Sequence, residues 1–198
     1  ASNWPSPPLV IGQAYAGGYY AGQIGVSSVA THNIVVGPIA SAQSTLAWKT
    51  TNTSTAGTTS VIDGPANSTA MNNASHPCAQ FCKGLTIGGF SDWYMPAKNE
   101  LEVCYFNLKP NTTANITSSG INANAVPARA SNYTNSPQVP AQTSATDFIV
   151  TTGAEAFSGN YWSSTEYSAT EAWKDGFSIG GYQYYGGYKT SAKKVRAI

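Results

Sequence analysis

The sequence predicts an α+β fold, on three observations. Two helical segments lie mid-chain, a tail of short β-like runs follows them, and a pair of short strands precedes them. There is no alternating β-α pattern and no phosphate-binding glycine motif, so the scattered glycines are read as turn residues. A chain of 198 residues suffices for one large domain and can bury a core without metal or disulfide staples.

Taken in order, residues 1–9 are Pro-rich and read as a linker or arm, leaving 10–198 as a single domain. The chain opens ASNWPSPP, without Met and without a signal-peptide pattern, as a fragment or processed product would. Ile24–Val29 and Asn33–Ile39 are expected strands, separated by Ala30, Thr31 and His32, and Thr45–Thr50 is a further short strand. The polar run at 51–60 is a loop.

Asp63-Gly64-Pro65 signals a helix start, with Asn67 or Ser68 as candidate caps. Met71, Ala74, Cys78, Phe81, Cys82 and Leu85 recur at near-helical spacing, and His76-Pro77 breaks or kinks that run. Phe90–Met95 reads as an aromatic strand. Pro96 ends it and opens the second helix, Ala97–Leu108, with Leu101, Cys104, Tyr105 and Leu108 on one face. Glu100 either caps that helix or pairs with Lys98. Residues 110–146 form a long loop insertion, with Ile116, Ile121 and Val126 as its apolar anchors. Phe148–Thr152 is a candidate strand. Antiparallel strands are then expected at Tyr161–Ser164, Ala172–Ser178, Tyr182–Tyr185 and Lys194–Ile198.

Charged residues make up 10% of the chain, well under the usual quarter, and Thr, Ser, Asn and Ala replace them. Such a neutral polar surface suits an extracellular or virion protein and favours assembly into an oligomer. A net charge of +1 gives no nucleic-acid signal, and Lys193, Lys194 and Arg196 are too few for strong phosphate binding. No apolar run reaches the ~18 residues that would span a bilayer as a helix. Cys78, Cys82 and Cys104 read as three buried thiols, with Cys82–Cys104 as the alternative bridge. The six Asn-X-Ser/Thr sequons are a by-product of composition.

The most informative stretch is 160–198, which holds six of the twelve tyrosines interleaved with Gly, Ser and Thr. Tyr offers rigid amphipathic area at low entropic cost, while Ser and Gly adapt, so the mixture reads as a recognition surface. Tyr182 and Tyr184 should share one strand face, with Gln183 and Tyr185 on the other. At least two of Tyr182, Tyr184, Tyr185 and Tyr188 are expected to be exposed, because a core must find a partner for every hydroxyl. Trp93, Trp162 and Trp173 are expected in the core. Ser163, Ser164 and Thr165 should tie loops to the scaffold, and Arg196 is assigned to a buried carboxylate such as Glu166.

Ser91-Asp92-Trp93-Tyr94-Met95-Pro96 with Glu100-Leu101, then Tyr161-Trp162-Ser163-Ser164-Thr165-Glu166, then Ala172-Trp173 and Val195-Arg196-Ala197-Ile198, together resemble a known family. The order is that of the C-type lectin-like domains at phage tail-fibre tips and in bacterial surface adhesins, over roughly 63–198. The resemblance implies two helices, a central antiparallel sheet and long irregular loops, with the last strands displaying the ligand face. In some relatives a retroelement diversifies this segment by mutating adenines. Asp175, Gly176, Ser178, Ile179, Tyr182, Tyr184, Tyr185, Gly186, Gly187 and Tyr188 fall within the residues such mutation reaches, and Lys174, Lys193 and Lys194 do not.

The expected receptor-binding residues are Glu171, Lys174, Asp175, Ser178, Tyr182, Gln183, Tyr184, Tyr185 and Tyr188. No catalytic residue, metal ligand or cofactor is expected. His32 and His76 sit in no triad or metal spacing, and a calcium site at Glu171 and Asp175 would have too few acids. Formylglycine-generating oxidases share the related fold but need C-terminal cysteines, and none follows Cys104. The expectation is a tail-fibre tip on a virion, a homotrimer by resemblance, binding a host surface glycan or outer-membrane protein, with no nucleic-acid partner and no membrane insertion. A bacterial adhesin and a virion decoration protein are the alternatives.

Overall fold

A computed structural model describes residues 8–198, so residues 1–7 of the expected arm lie outside it. The chain opens with β1 (Ala14–Tyr15), β2 (Gly18–Val26) and β3 (Val29–Val36), an antiparallel sheet in that order. The hairpin turn falls at Ser27-Ser28, both left-handed with φ of 50 and 63°, as a tight two-residue turn requires. The predicted break at Ala30–His32 is therefore incorrect, and β3 runs straight through it. Its first half is exposed, so it lacks the apolar alternation by which a strand is recognised.

Next come α1 (Ile39–Ala42), β4 (Gln43–Ala47), α2 (Gly64–Ala70), α3 (Pro77–Lys83) and α4 (Lys98–Leu108). The break at His76-Pro77 separates α2 from α3 as the sequence implies. The cap of α2 is Asp63, whose Oδ1 accepts from the Ala66 N–H at 2.9 Å. Asn67 and Ser68 are not caps. They lie inside the helix and bind the Ser60 and Met95 carbonyls and the Ser164 hydroxyl. Glu100 takes the capping role at α4, accepting from the Ala97 N–H at 2.7 Å. Phe90–Met95 joins no strand; Phe90 forms an isolated bridge with Ile87, and Tyr94 exchanges backbone hydrogen bonds with Ile198 at 3.0 Å. Phe148–Thr152 is likewise no strand, following instead from a 3₁₀ turn at Thr146–Phe148.

The segment 110–146 carries only a small hairpin, β5 (Thr134–Asn135) with β6 (Gln138–Val139). Its apolar anchors are Ala125 and Tyr133, which enter the core, rather than the expected Ile116, Ile121 and Val126, and buried Asn115, Ser119 and Asn122 add polar ones; Ile121 is exposed. Buried Lys109 donates from Nζ to the Thr113 carbonyl, Asn115 Oδ1 and the Pro140 carbonyl, and burial lowers its pKa to about 8. Irregular backbone cannot satisfy its own carbonyls, so a buried donor satisfies several at once.

The remaining strands are β7 (Asn160–Glu166), β8 (Ala172–Gly176), β9 (Tyr182–Tyr184) and β10 (Ala192–Arg196). With β4 they form a five-stranded sheet in the order β4-β10-β7-β8-β9. The expectation of purely antiparallel tail strands is corrected at one pair, because β10 runs parallel to β7. One core, with Leu101, Tyr105, Phe148, Phe157, Tyr161 and Phe177, lies between α4 and this sheet. The other gathers Trp48, Met71, Cys78, Cys82, Trp93 and Trp162 around α2, α3 and the opposite face. All three cysteines are free and buried, which leaves no Cys82–Cys104 bridge.

Arg196, buried on β10, donates from Nε to the Gly37 carbonyl at 2.7 Å, and its guanidinium pairs with the Glu155 carboxylate. Glu155 also accepts from the Ile39 N–H at 2.8 Å. The expected Arg196–Glu166 pairing is thus corrected: Glu166 pairs with Lys189 at 2.9 Å. Arg196 and Glu155 tie both halves of the chain, and removing one partner leaves a buried charge uncompensated. Glu155→Ala is expected to destabilise the protein by about 3–5 kcal/mol, read as a lower midpoint in urea denaturation.

Candidate binding surface

The sheet ends at β9, and the C-terminal tyrosines gather on both sides of that margin. Gly180 and Gly181 bring the chain into β9 with φ of 84 and 70°, and a Cβ at 181 would run into the Tyr105 ring on α4. Only glycine permits this approach. The outward N–H of Gln183 donates to the Ser119 hydroxyl at 3.1 Å, so the insertion covers part of the sheet edge. Backbone addition of a further strand at that position is blocked.

On one face Tyr182 stacks on Tyr184, with ring centroids 4.5 Å apart and planes 10° apart. Lys174, opposite Tyr184 on β8, places Nζ 4.3 Å from the Tyr184 centroid and 5.5 Å from that of Trp162. On the other face Tyr185 stacks on Tyr167 at 3.7 Å, and Trp173 meets both rings edge-on. Lys98, at the start of α4, covers the Trp173 ring at 4.5 Å. The predicted division of Tyr182 and Tyr184 from Tyr185 follows from strand alternation.

Tyr182, Tyr185 and Tyr188 are exposed, at 38, 47 and 61%. Tyr184 and Gln183 are half-buried. Ser178 is exposed, and its hydroxyl accepts from the Gly159 N–H. Glu171 is half-buried, and its carbonyl accepts from Tyr167 and Ser168. Two expected contact residues are not on the outer surface. Asp175 is 2% exposed and points inward, and Lys174 is 4% exposed and lies beneath the tyrosines. Period-two alternation put Asp175 on the core side, which a reading of exposure from polarity alone misses. Trp173 is corrected in the opposite sense: it is half-buried within the surface cluster, whereas Trp93 and Trp162 are core. Tyr167, Trp173, Lys98 and Lys193 were missed as site residues. Tyr167 follows YWSSTE directly, and its place at the end of β7 could have flagged it.

The surface rests on tied loops. The Ser163 hydroxyl donates to the Trp173 carbonyl at 3.0 Å and that of Thr165 to the Ser60 carbonyl at 2.8 Å. Lys189, buried, donates to the Thr53 and Ala169 carbonyls, and Lys49 to Thr53, Ser54 and Thr55. His76 bonds Thr55 and Asn73, and burial followed by the nearby lysines lowers its pKa to about 4. Among the described residues no group of three or more His, Cys, Asp or Glu side chains could hold a metal.

Beneath the tyrosines the charge balance is unusual. Glu102 on α4 is fully buried, paired with Arg129 and hydrogen-bonded to Tyr133 and Asn122. Asp175 is buried nearby with both carboxylate oxygens unpartnered. Burial first, then the Glu102 charge, push the Asp175 carboxyl well above the usual carboxylate range.

A mixed five-stranded sheet with four short helices, long pinned loops and exposed aromatic side chains on the last strands define a C-type lectin-like domain. The sequence profile of the Lcl C-terminal domain matches residues 38–198, and the chain belongs to that family. Domains of this kind occur in phage and bacterial tail-fibre proteins and in targets of diversifying retroelements. The family points to a surface receptor-binding or adhesin-like module. Comparison with curated proteins and with solved structures gave no match.

The raised Asp175 pKa has a definite sign in stability. The folded state holds the proton more tightly than the unfolded chain, so the contribution is full below the unfolded value, about 3.9. It is lost as pH rises through the folded value. Asp175→Asn keeps the shape without the charge, and should gain stability over the wild type at pH 7 relative to pH 4, measured by urea denaturation at both.

Proposed function

We propose that this chain is the receptor-binding tip of a phage tail fibre, attaching the virion to a glycan or protein on the host surface. The observation that carries the reading is the pair of stacked tyrosine clusters on opposite faces of one sheet margin. Exposed aromatic side chains concentrated on a rigid edge form a contact surface with little ordering entropy left to lose. Tyr182, Tyr184, Tyr185 and Tyr188 supply aromatic contact, and Gln183, Ser178 and Glu171 supply polar contacts at its rim. Lys174 and Asp175 act from beneath. The function is adhesion without catalysis or a cofactor, and the assembly is a homotrimer, to which the low charge of the chain lends itself.

A bacterial surface adhesin would use the same surface on a different carrier, and neighbouring tail genes or an upstream stalk distinguish the two. The binding test is adsorption of the fluorescent protein to a panel of bacterial and animal cells. Replacing Tyr182, Tyr184, Tyr185 and Tyr188 together by Ala should reduce adsorption at least tenfold while the thermal midpoint and circular dichroism stay close to wild type. Full adsorption by that folded variant would remove the tyrosines from the site.

A further inference from the structure

Lys174 is an ion without a counter-ion. It is 4% exposed, and its ammonium rests between the rings of Tyr184 and Trp162. The ion pairs among the described residues are Arg129–Glu102, Lys189–Glu166 and Arg196–Glu155, so no carboxylate pairs with Lys174. Lys193 joins it from β10, with Nζ 5.2 Å from the Trp162 centroid. Both ammonium groups lie under the Gly186-Gly187 turn. A methyl group on Gly187 would sit 3.2 Å from Lys174 Nζ and 3.5 Å from Lys193 Nζ. Glu171 is the nearby carboxylate, acting on Lys174 only from beyond pairing distance.

Two ammonium groups converging on one indole repel each other, and neither bonds an acceptor among the described residues; Lys174 Nζ is not among the buried atoms left without a partner, so it keeps a path to solvent. An anion placed between them would relieve both costs. Burial and then Lys193 lower the Lys174 pKa to about 8, in keeping with that unmet need.

The rings around this spot limit what can bring the anion. Tyr184 is covered by Tyr182 on one side and by Lys174 Nζ on the other, and Tyr167 and Tyr185 cover one another. Trp173 lies under Lys98. Sugars stack on open ring faces; Tyr182, Tyr184 and Tyr185 spend ring area on one another, on Tyr167 and on Lys174, and Tyr188 is the one of the four without a ring partner among the described residues. Ring edges, hydroxyls and amides remain outward, which is the chemistry by which antibody loops hold proteins.

Resting on the proposed receptor-binding role of this margin, we infer that the partner is a protein, and that an Asp or Glu side chain of it enters between Lys174 and Lys193 beside the Tyr182–Tyr184 stack. Lys194, bonded to the Ser158 hydroxyl at 2.6 Å and lying over Tyr161 on the other sheet face, has no part in it.

The test has two arms. In the first, N-acetyl-glutamate amide, sulfate and methyl glucoside are titrated into the full chain at pH 7, and the lysine ε-CH₂ and aromatic ring resonances are followed by NMR. The glutamate compound should shift the signals of Lys174 and Lys193 but not Lys194, together with the ring signals of Trp162 and Tyr184, and the ring shifts should vanish in the Lys174→Gln, Lys193→Gln double variant. The shifts should also weaken as pH rises through 8. No shift, or an equal shift in the double variant, overturns the carboxylate site whatever cells do. In the second, labelled protein is applied to a random peptide array and to an array of neutral, sialylated and sulfated glycans. Acid-containing peptides should bind, and at least tenfold more weakly to the double variant. Binding confined to glycans, or no binding to either array, overturns the protein partner. The tyrosine variant's loss of cell adsorption would still stand if this arm failed, so the two readings fail separately.

Discussion

The structure depends on β10 lying inside the sheet, between β4 from the first third of the chain and β7 from the last. Its pairing with β4 is antiparallel over five residues, and it meets β7 in parallel at Lys194–Tyr161. Arg196 fixes that position by binding the Gly37 carbonyl and Glu155. Val195 beside it enters the indole core with Trp48 and Trp162. Burying two indoles and neutralising one guanidinium by hydrogen bonds on all sides holds the sheet in a single register. Once β10 lies between β4 and β7, β8 and β9 have nowhere to lie but the far side of β7, which places the tyrosines at the sheet margin.

Charge in this protein serves loop anchoring more than solubility. Of the nineteen charged residues, eight are buried: Lys49, Glu100, Glu102, Lys109, Lys174, Asp175, Lys189 and Arg196. Lys49, Lys109 and Lys189 each donate to several loop carbonyls, taking the place of the ladders that irregular segments lack. A lysine can do this because it has three donors on a flexible stem. Long loops are thereby held in one conformation at modest cost in chain length. Lys174 alone in this group faces aromatic rings instead of carbonyls, which sets it apart from the structural lysines.

The margin carries two aromatic faces on one short strand. Strand alternation sends Tyr182 and Tyr184 to one side and Tyr185 to the other, where Tyr167 receives it. Each stack limits the rotamers of its own rings, so the surface is ordered before anything binds. The glycines at 180, 181, 186 and 187, all at positive φ, let the chain turn into and out of β9 within a few residues. A surface of this kind can change its side chains while its backbone, fixed by the core behind it, stays put.

What the sequence by itself determined is local. The break at His76-Pro77, the span of α4, the capping by Glu100, the buried thiols and the tyrosine margin all follow from proline geometry, helical spacing, thiol polarity and strand alternation. The ordered motifs from DWYMP to YWSSTE marked the family as well. Only the tertiary structure decided the parallel β10–β7 pairing, the Arg196 partner, and the gathering of Tyr167, Trp173 and Lys98. These depend on contacts between segments tens to more than a hundred residues apart. Propensity and periodicity report on neighbours along the chain, whereas a partner for a buried charge is chosen by whichever segment the packed core brings beside it.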